Sequence, residues 1–139
     1  MNPRLVAVAL LAFSSSAFAL IGEDAKEIEA RYGKPARVLV DRGNHREIGL
    51  PYRGFMLIVR FIGGISMQEG WARPDQSRLS REAVRQILDM SAPPSVTWRE
   101  LPTKDGDQFW ERSDGKAKAI LPTAGNFFIV QDPKWVEPE

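Results

Sequence analysis

Outside its first twenty residues, the chain is most apolar over Phe55–Ile62, which reads F-M-L-I-V-R-F-I. This segment ends at Gly63–Gly64, a pair that can adopt the positive φ angles of a two-residue hairpin turn. A short apolar run rich in β-branched and aromatic residues predicts a largely buried strand rather than a helix. Ile65–Trp71 would then return antiparallel to it. A chain that contains such a hairpin is expected to fold around an antiparallel sheet.

The two-residue turn also predicts which face of Phe55–Ile62 is buried. It would place three pairs of residues opposite one another: Ile62 with Ile65, Arg60 with Met67, and Ile58 with Glu69. The other face would be the core face and carries four apolar residues: Phe55, Leu57, Val59 and Phe61. Because side chains alternate along a strand, a slip of one residue would exchange the two faces.

A second hairpin is predicted around Asp114–Gly115, a dipeptide that favours the tightest hairpin turns. Its strands would be Gln108–Arg112 and Lys116–Leu121. The turn pairs Glu111 with Lys118, and this opposite-charge cross-strand pair supports the register.

Four further segments are strand candidates. Ala36–Asp41, Val96–Leu101 and Asn126–Gln131 are short and rich in β-forming residues. The fourth, His45–Tyr52, is ambiguous because Pro51 favours an edge strand or a bend.

Two helices are expected. Gly22–Tyr32 places apolar residues on one helical face and is followed by Gly33 and Pro35, which stop a helix. Ser80–Met90 begins with a residue that caps helices well, and Pro93–Pro94 prevents its continuation. The predicted fold is α+β: an antiparallel sheet of about five to seven strands with two short helices on one face. The predicted order is α-β-β-β-α-β-β-β, with room for one more strand at the end.

Met1–Ala19 has the three parts of a secretory signal peptide. Arg4 follows the terminal amine, Leu5–Phe13 is an unbroken apolar run, and small residues at Ala17 and Ala19 suit a signal peptidase. We therefore expect cleavage after Ala19 and a periplasmic or extracellular protein with no stable membrane insertion. The remaining chain would be one domain over residues 20–131 with a loose tail over residues 132–139.

Charge and composition exclude several kinds of function. The chain has 19 basic and 18 acidic residues; without Arg4 the mature chain has 18 of each and no net charge. This balance argues against nucleic-acid binding. With no cysteine and one histidine, His45, there is no thiol nucleophile, no lipid-anchoring cysteine and no zinc site of the usual kind. No cofactor or metal is expected.

Candidate binding residues are Trp71, Arg73 and Trp135, since exposed tryptophan beside arginine is typical of interfaces. The alternative is that both tryptophans close the ends of the core. Three arginines at helical spacing, at or just before the start of the second predicted helix, form either a small anion-binding patch or a solvated helix face: Arg78, Arg81 and Arg85. Asp105–Gly106–Asp107 is interpreted as a turn, because the other acids of a calcium loop are missing.

Two stretches resemble known proteins. Residues 21–35, I-G-E-D-A-K-E-I-E-A-R-Y-G-K-P, resemble the opening helix of SmpA/OmlA-type outer-membrane assembly domains, which implies a helix leading through G-x-P into antiparallel strands. Residues 109–119, F-W-E-R-S-D-G-K-A-K-A, are similar to a W-x-R-x-D-G-x-A hairpin of small secreted bacterial proteins. The repeated plan of a helix followed by antiparallel strands resembles β-lactamase-inhibitor proteins in architecture.

Three functions are compatible with these features. The first is an exported, non-enzymatic protein that binds another protein or an envelope component. The second is a small hydrolase or lyase that uses carboxylates, since acids are plentiful although no spacing singles out a pair. The third is a structural or stress-related envelope protein.

Overall fold

The computed structural model describes residues 21–138, which form one eight-stranded antiparallel sheet and two helices. Along the chain the elements are α1 (Ala25–Tyr32), β1 (Arg37–Arg42), β2 (His45–Tyr52), β3 (Phe55–Ile62), β4 (Ile65–Ala72), α2 (Arg81–Met90), β5 (Trp98–Lys104), β6 (Asp107–Arg112), β7 (Lys118–Leu121) and β8 (Phe127–Gln131). The predicted cleavage site and the signal segment lie outside the described residues. No helix within residues 21–138 is long and apolar enough to cross a membrane.

The strands are ordered β1-β2-β3-β4-β8-β7-β6-β5 across the sheet. Each half of the chain is thus a helix followed by a four-stranded meander, and the last strands of the two halves pair. The prediction of an α+β fold with five to seven strands was wrong. The protein is mostly sheet, with eight strands in the order α-β-β-β-β-α-β-β-β-β.

The extra strand of the first half is β2, which the sequence left ambiguous because of Pro51. β1 pairs with β2 only as far as Gly49, so Pro51 lies beyond the end of β1. At that point β2 has a neighbour on one side only, β3, where Pro51 is opposite Met56. A proline is tolerated there because its missing N–H removes no hydrogen bond to β1.

Both helices begin at capped N-termini, as short helices need to. The Asp24 carboxylate accepts a hydrogen bond from the Glu27 N–H at 2.9 Å. The Ser80 hydroxyl accepts one from the Ala83 N–H at 3.1 Å, which confirms Ser80 as the cap of α2. The buried residues of both helices belong to one hydrophobic core with one face of the sheet.

β3 supplies the centre of that core. Its residues alternate strictly between buried and half-buried. The predicted core face is confirmed, since four apolar side chains are at most 2% exposed: Phe55, Leu57, Val59 and Phe61.

The first hairpin differs from its predicted register through a β-bulge in β4. Ile62 is opposite Ile65 as expected, but the pairing then shifts so that Arg60 is opposite Gln68 and Val59 opposite Glu69. The predicted pairs of Arg60 with Met67 and of Ile58 with Glu69 were therefore wrong. A bulge adds one residue to one strand only and so exchanges the faces of the residues that follow. As a result Glu69 points into the core.

The second hairpin has its predicted register. Glu111 is opposite Lys118 and Trp110 opposite Ala119. At the end of β8, the Asp132 N–H donates to the Met67 carbonyl oxygen at 2.8 Å. This bond ties the start of the C-terminal tail to β4.

Candidate functional site

The face of the sheet opposite the helices carries an apolar row, which has Arg37 at its β1 end. Directly opposed residues of an antiparallel sheet share a face, and one such line crosses every strand: Arg37, Gly49, Ile58, Gly70, Ile129, Ile120, Phe109 and Leu101. Its five large apolar side chains are half-buried rather than buried. Within residues 21–138 both helices pack on the other face, so this face, the open face, has no covering layer.

A second line on the open face extends the apolar surface. Pro51 is opposite Met56, Met56 opposite Ala72, and Ala72 opposite Phe127. Phe127 is 39% exposed, whereas phenylalanine residues in protein cores are usually buried. The apolar surface therefore spans two adjacent lines of side chains near the middle strands.

Gly70 makes a depression in the middle of the apolar row. A Cβ atom added to Gly70 would meet nothing within 4 Å, although Ile58 and Ile129 stand on either side. Gly49 differs, since an added Cβ there would lie 3.6 Å from Leu39 Cδ1. The depression at Gly70 is thus unfilled, whereas the gap at Gly49 is already occupied by a neighbouring side chain.

A polar row runs beside the apolar row on the other side from Phe127. Its members are paired across seven strands: Glu47, Arg60, Gln68, Gln131, Lys118, Glu111 and Arg99. Many are held in place by their neighbours. Glu47 Oε1 lies 2.6 Å from Arg60 Nε, and the Gln68 amide donates to Gln131 Oε1 at 2.9 Å. The apolar row therefore has one polar border, several of whose side chains are paired with one another.

The predicted binding residues are not brought together on this surface. Trp71 is 0% exposed and packs edge-on against the rings of Tyr32 and Phe55, so its interpretation as a surface residue was wrong. Arg73 lies over the Phe55 ring, 5.5 Å from its centroid. Trp135 is half-buried in the tail, where its backbone N–H donates to the Asp132 carbonyl oxygen. Trp71 belongs to the core, as the alternative interpretation has it.

Glu69 is a buried carboxyl group that the sequence did not predict. It is 0% exposed, and the Tyr32 hydroxyl is 3.4 Å from its Oε2. Its Oε1 has no hydrogen-bond partner among the described residues. Burial raises the pKa of Glu69 to about 8, and the nearby charge of Glu23 raises it further against the opposing effect of Tyr32. At neutral pH Glu69 is therefore a neutral carboxylic acid.

The surroundings of Glu69 are closed. Tyr32 is 7% exposed, and burial followed by the charge of Glu69 raises the pKa of its hydroxyl well above its ordinary value. Glu23 is 6% exposed and forms an ion pair with Arg31 of α1. These groups separate Glu69 from solvent. Glu69 points inward because of the bulge in β4. No residue pattern in the sequence marks that bulge, so the sequence carries no signal that could have revealed Glu69.

A groove of about 1110 Å³ lies between α2 and the strands β5–β7. Trp98 and Trp110 line it, and the Trp98 indole N–H donates to the Leu88 carbonyl oxygen at 2.8 Å. The three arginines singled out in the sequence also line it: Arg78, Arg81 and Arg85. They are exposed, but they border a cavity rather than a flat helix face.

The other candidates have structural roles. His45 lies 3.3 Å from Glu47 at the end of the polar row. Asp107 accepts hydrogen bonds from the N–H and hydroxyl of Thr123, both at 2.9 Å, and so ties the start of β6 to the loop between β7 and β8. Over residues 21–138 no three histidine or acidic side chains are grouped so that they could hold a metal ion.

Comparison with known proteins gives little further information. No protein-family model and no curated protein matches the chain. A solved structure of a cysteine-rich secretory protein from Staphylococcus aureus is similar over 82% of this chain, with 12% sequence identity and a TM-score of 0.47. The match spans 44% of that protein's chain. A likeness this distant carries no argument about function.

Proposed function

We propose that the chain is an exported, non-enzymatic binding protein of the bacterial envelope or extracellular space, which holds another protein against the open face of its sheet. Export is inferred from the signal-like segment Met1–Ala19. The apolar row, whose five large side chains come from β3 and from β5–β8, is the observation that supports binding. A large uncovered apolar patch on a protein usually marks an interaction surface.

The open face is large enough for a specific interface. Eight strands about 4.8 Å apart give a width of roughly 34 Å, and three lines of side chains about 7 Å apart give a depth of roughly 14–20 Å. The projected area is on the order of 500–700 Å². Stable interfaces bury about 800 Å² on each partner, which is of the same size once side-chain relief is included.

The polar row favours a different protein over a second copy of this chain. Read outward from the β4–β8 junction, it is nearly symmetric: Gln68 and Gln131 at the centre, then Arg60 and Lys118, then Glu47 and Glu111. If two copies stacked face to face with these rows superimposed, cation would oppose cation and anion would oppose anion. Such juxtaposition is unfavourable. The fitting partner has an apolar ridge bordered by acids opposite Arg60 and Lys118.

Site-specific photo-crosslinking in the producing bacterium tests this proposal. A photoreactive residue at Ile129, in the apolar row, is expected to give one discrete, reproducible adduct with an exported protein. The same residue at Ala30, exposed on α1 behind the sheet, is the matched control and is expected not to give that adduct. An open face that gives no adduct, or the same adducts as Ala30, would contradict the proposal.

Export is tested separately. The protein recovered from the periplasm or culture medium is expected to have the intact mass of residues 20–139. A species that still carries Met1–Ala19 would contradict cleavage after Ala19, without bearing on whether the open face binds a partner.

A carboxylate-dependent hydrolase or lyase would need an acid of raised pKa in a pocket that substrate can enter. Glu69 has such a pKa, raised by burial to about 8, but it is 0% exposed and does not line the α2 groove. A substrate cannot reach it in this structure. The geometry of Glu69 therefore favours the binding function over the enzymatic alternative.

A further inference from the structure

The groove beside α2 is a second concave feature, on the opposite side of the sheet from the open face. Its volume of about 1110 Å³ is enough for a whole small molecule, since ligand pockets measure roughly 300–1,000 Å³. The Trp110 ring is held in place by Phe128, since the two ring centroids are 5.5 Å apart. Trp98 is fixed by its bond to the Leu88 carbonyl oxygen. Two oriented indoles therefore give the groove a rigid aromatic lining.

The direction of α2 along the groove follows from contacts at its two ends. Before its first turn, the Leu79 N–H donates to the Gly125 carbonyl oxygen at 2.8 Å, beside the start of β8. After its last turn, the Ser91 carbonyl oxygen accepts from the Arg112 guanidinium at 3.0 Å, at the end of β6. Trp98, which begins β5, thus lies at the C-terminal end of α2.

Charge is distributed unevenly along this direction. Arg78, Arg81 and Arg85 lie in the N-terminal half of α2 or just before it, where the helix macrodipole also favours an anion. None of the ion pairs formed within residues 21–138 involves these three arginines. Glu82 lies among them, whereas Asp89 is eight residues beyond Arg81, or about 12 Å along the helix axis. Glu100 lines the groove from β5.

We propose that this groove binds a small organic anion with a flat apolar body. The ring system of the ligand stacks on the half-buried Trp98, beside the largely buried Trp110 in the groove wall. Its carboxylate, sulfonate or phosphate lies against Arg78, Arg81 and Arg85. Guanidinium groups form their strongest hydrogen bonds with such anions, and they bind planar ones in bidentate fashion. Asp89 and Glu100 repel the anion from the other end and so fix the ligand's direction.

A pair of fluorescent dyes tests the proposal on the purified mature protein. The probe is 1-anilinonaphthalene-8-sulfonate, and its control is N-phenyl-1-naphthylamine, which has the same ring system without the sulfonate. The expected result is saturable, single-site binding of the sulfonate with energy transfer from tryptophan. The neutral dye is expected to bind about tenfold more weakly, as for the loss of one charge-assisted contact.

Variants locate the site. The double substitution Arg81→Gln with Arg85→Gln is expected to weaken the sulfonate about tenfold or more and to leave the neutral dye unchanged. Arg73→Gln, a change outside the groove lining, is the matched control and should alter neither dye. Gly70→Leu, on the open face, should also alter neither.

Three results would overturn the proposal. The first is equal affinity of the two dyes in the wild-type protein. The second is sulfonate binding that survives the double substitution. The third is sulfonate binding that Gly70→Leu abolishes, which would place the dye on the open face. Because the double substitution leaves the open face intact, its outcome does not depend on whether that face binds a protein.

Discussion

The two halves of the molecule have the same plan but bury their charged groups differently. In the first half, Glu69 of β4 is fully buried and one of its oxygens has no partner within the described chain. In the second half, Arg112 of β6 is 3% exposed, but its guanidinium bonds to Asp114 at 2.9 Å and to the Ser91 carbonyl oxygen at 3.0 Å. The first group lacks a partner for one oxygen, whereas the guanidinium of the second bonds to two acceptors.

Two carboxyl groups, Glu69 and Asp114, show how hydrogen bonds compete with burial in setting the pKa of an acid. Burial raises the pKa of Glu69 to about 8, because the opposing hydrogen bonds of Tyr32 and Trp71 are too weak to offset desolvation. Partial burial also raises the pKa of Asp114, yet its hydrogen bonds to Arg112 and to the Lys116 N–H bring the pKa below its ordinary value. A carboxylate whose hydrogen bonds outweigh desolvation thus stays ionised, whereas one whose hydrogen bonds do not is protonated at neutral pH.

The largest expected effect is the pH dependence that Glu69 confers on stability. Its pKa rises from 4.5 in the unfolded chain to about 8 in the folded one. Between these values the unfolded state loses the proton first, so stability falls as pH rises, by up to about 1.4 kcal/mol per pH unit. Below pH 4.5 and above pH 8 this contribution is constant. Urea unfolding from pH 4 to pH 9 measures it.

Glu69→Gln is the matched variant for this measurement. It keeps the shape of the side chain and cannot ionise, so its free energy of unfolding is expected to vary much less between pH 4.5 and pH 8. The stability of Glu69→Gln relative to the wild type should therefore increase as pH rises. Parallel curves for the two proteins would show that Glu69 does not titrate as described.

Arg112→Ala is expected to have the next largest effect. It removes a buried cation, leaves the Ser91 carbonyl oxygen without that donor and opens a cavity, at a cost of about 3 kcal/mol. The control is Arg99→Ala on the same half, whose pair with Glu111 is exposed and is worth less than about 1 kcal/mol. Denaturant unfolding of both proteins gives the comparison. Similar losses would mean that burial does not set the value of these pairs.

The smallest expected effect on stability is that of Gly70→Leu. An added Cβ meets no atom within 4 Å, and the backbone there is not in the positive-φ region. The free energy of unfolding of the variant is expected to lie within about 1 kcal/mol of the wild-type value. The expected change is a small gain in stability, because glycine weakens strands. A loss of several kcal/mol in denaturant would mean that the depression is needed for folding rather than left open.

The parts of the fold that local chemistry specifies could be predicted from the sequence. The Asp114–Gly115 turn and the Glu111–Lys118 pair agree on one register, and the structure has it. The alternation within Phe55–Ile62 also placed the core face correctly. In each case a turn and a pattern of side chains gave the same answer.

What could not be predicted depends on contacts between distant segments. The bulge in β4 has no local signal, yet it decides that Glu69 and Trp71 face inward. The open face became visible only when strand order brought Ile58, Gly70 and Ile129 into one line. Gly70 looks in the sequence like an ordinary strand glycine, and only its neighbours make it a depression.

The most direct test of the open face is the affinity of the crosslinked partner for purified variants. Isothermal titration of that partner with the wild type, with Gly70→Leu and with Ala30→Leu compares a filled depression with an equal side chain added behind the sheet. The expected result is at least about tenfold weaker binding for Gly70→Leu and unchanged binding for Ala30→Leu. Equal affinities for all three proteins would contradict a role of the open face in binding.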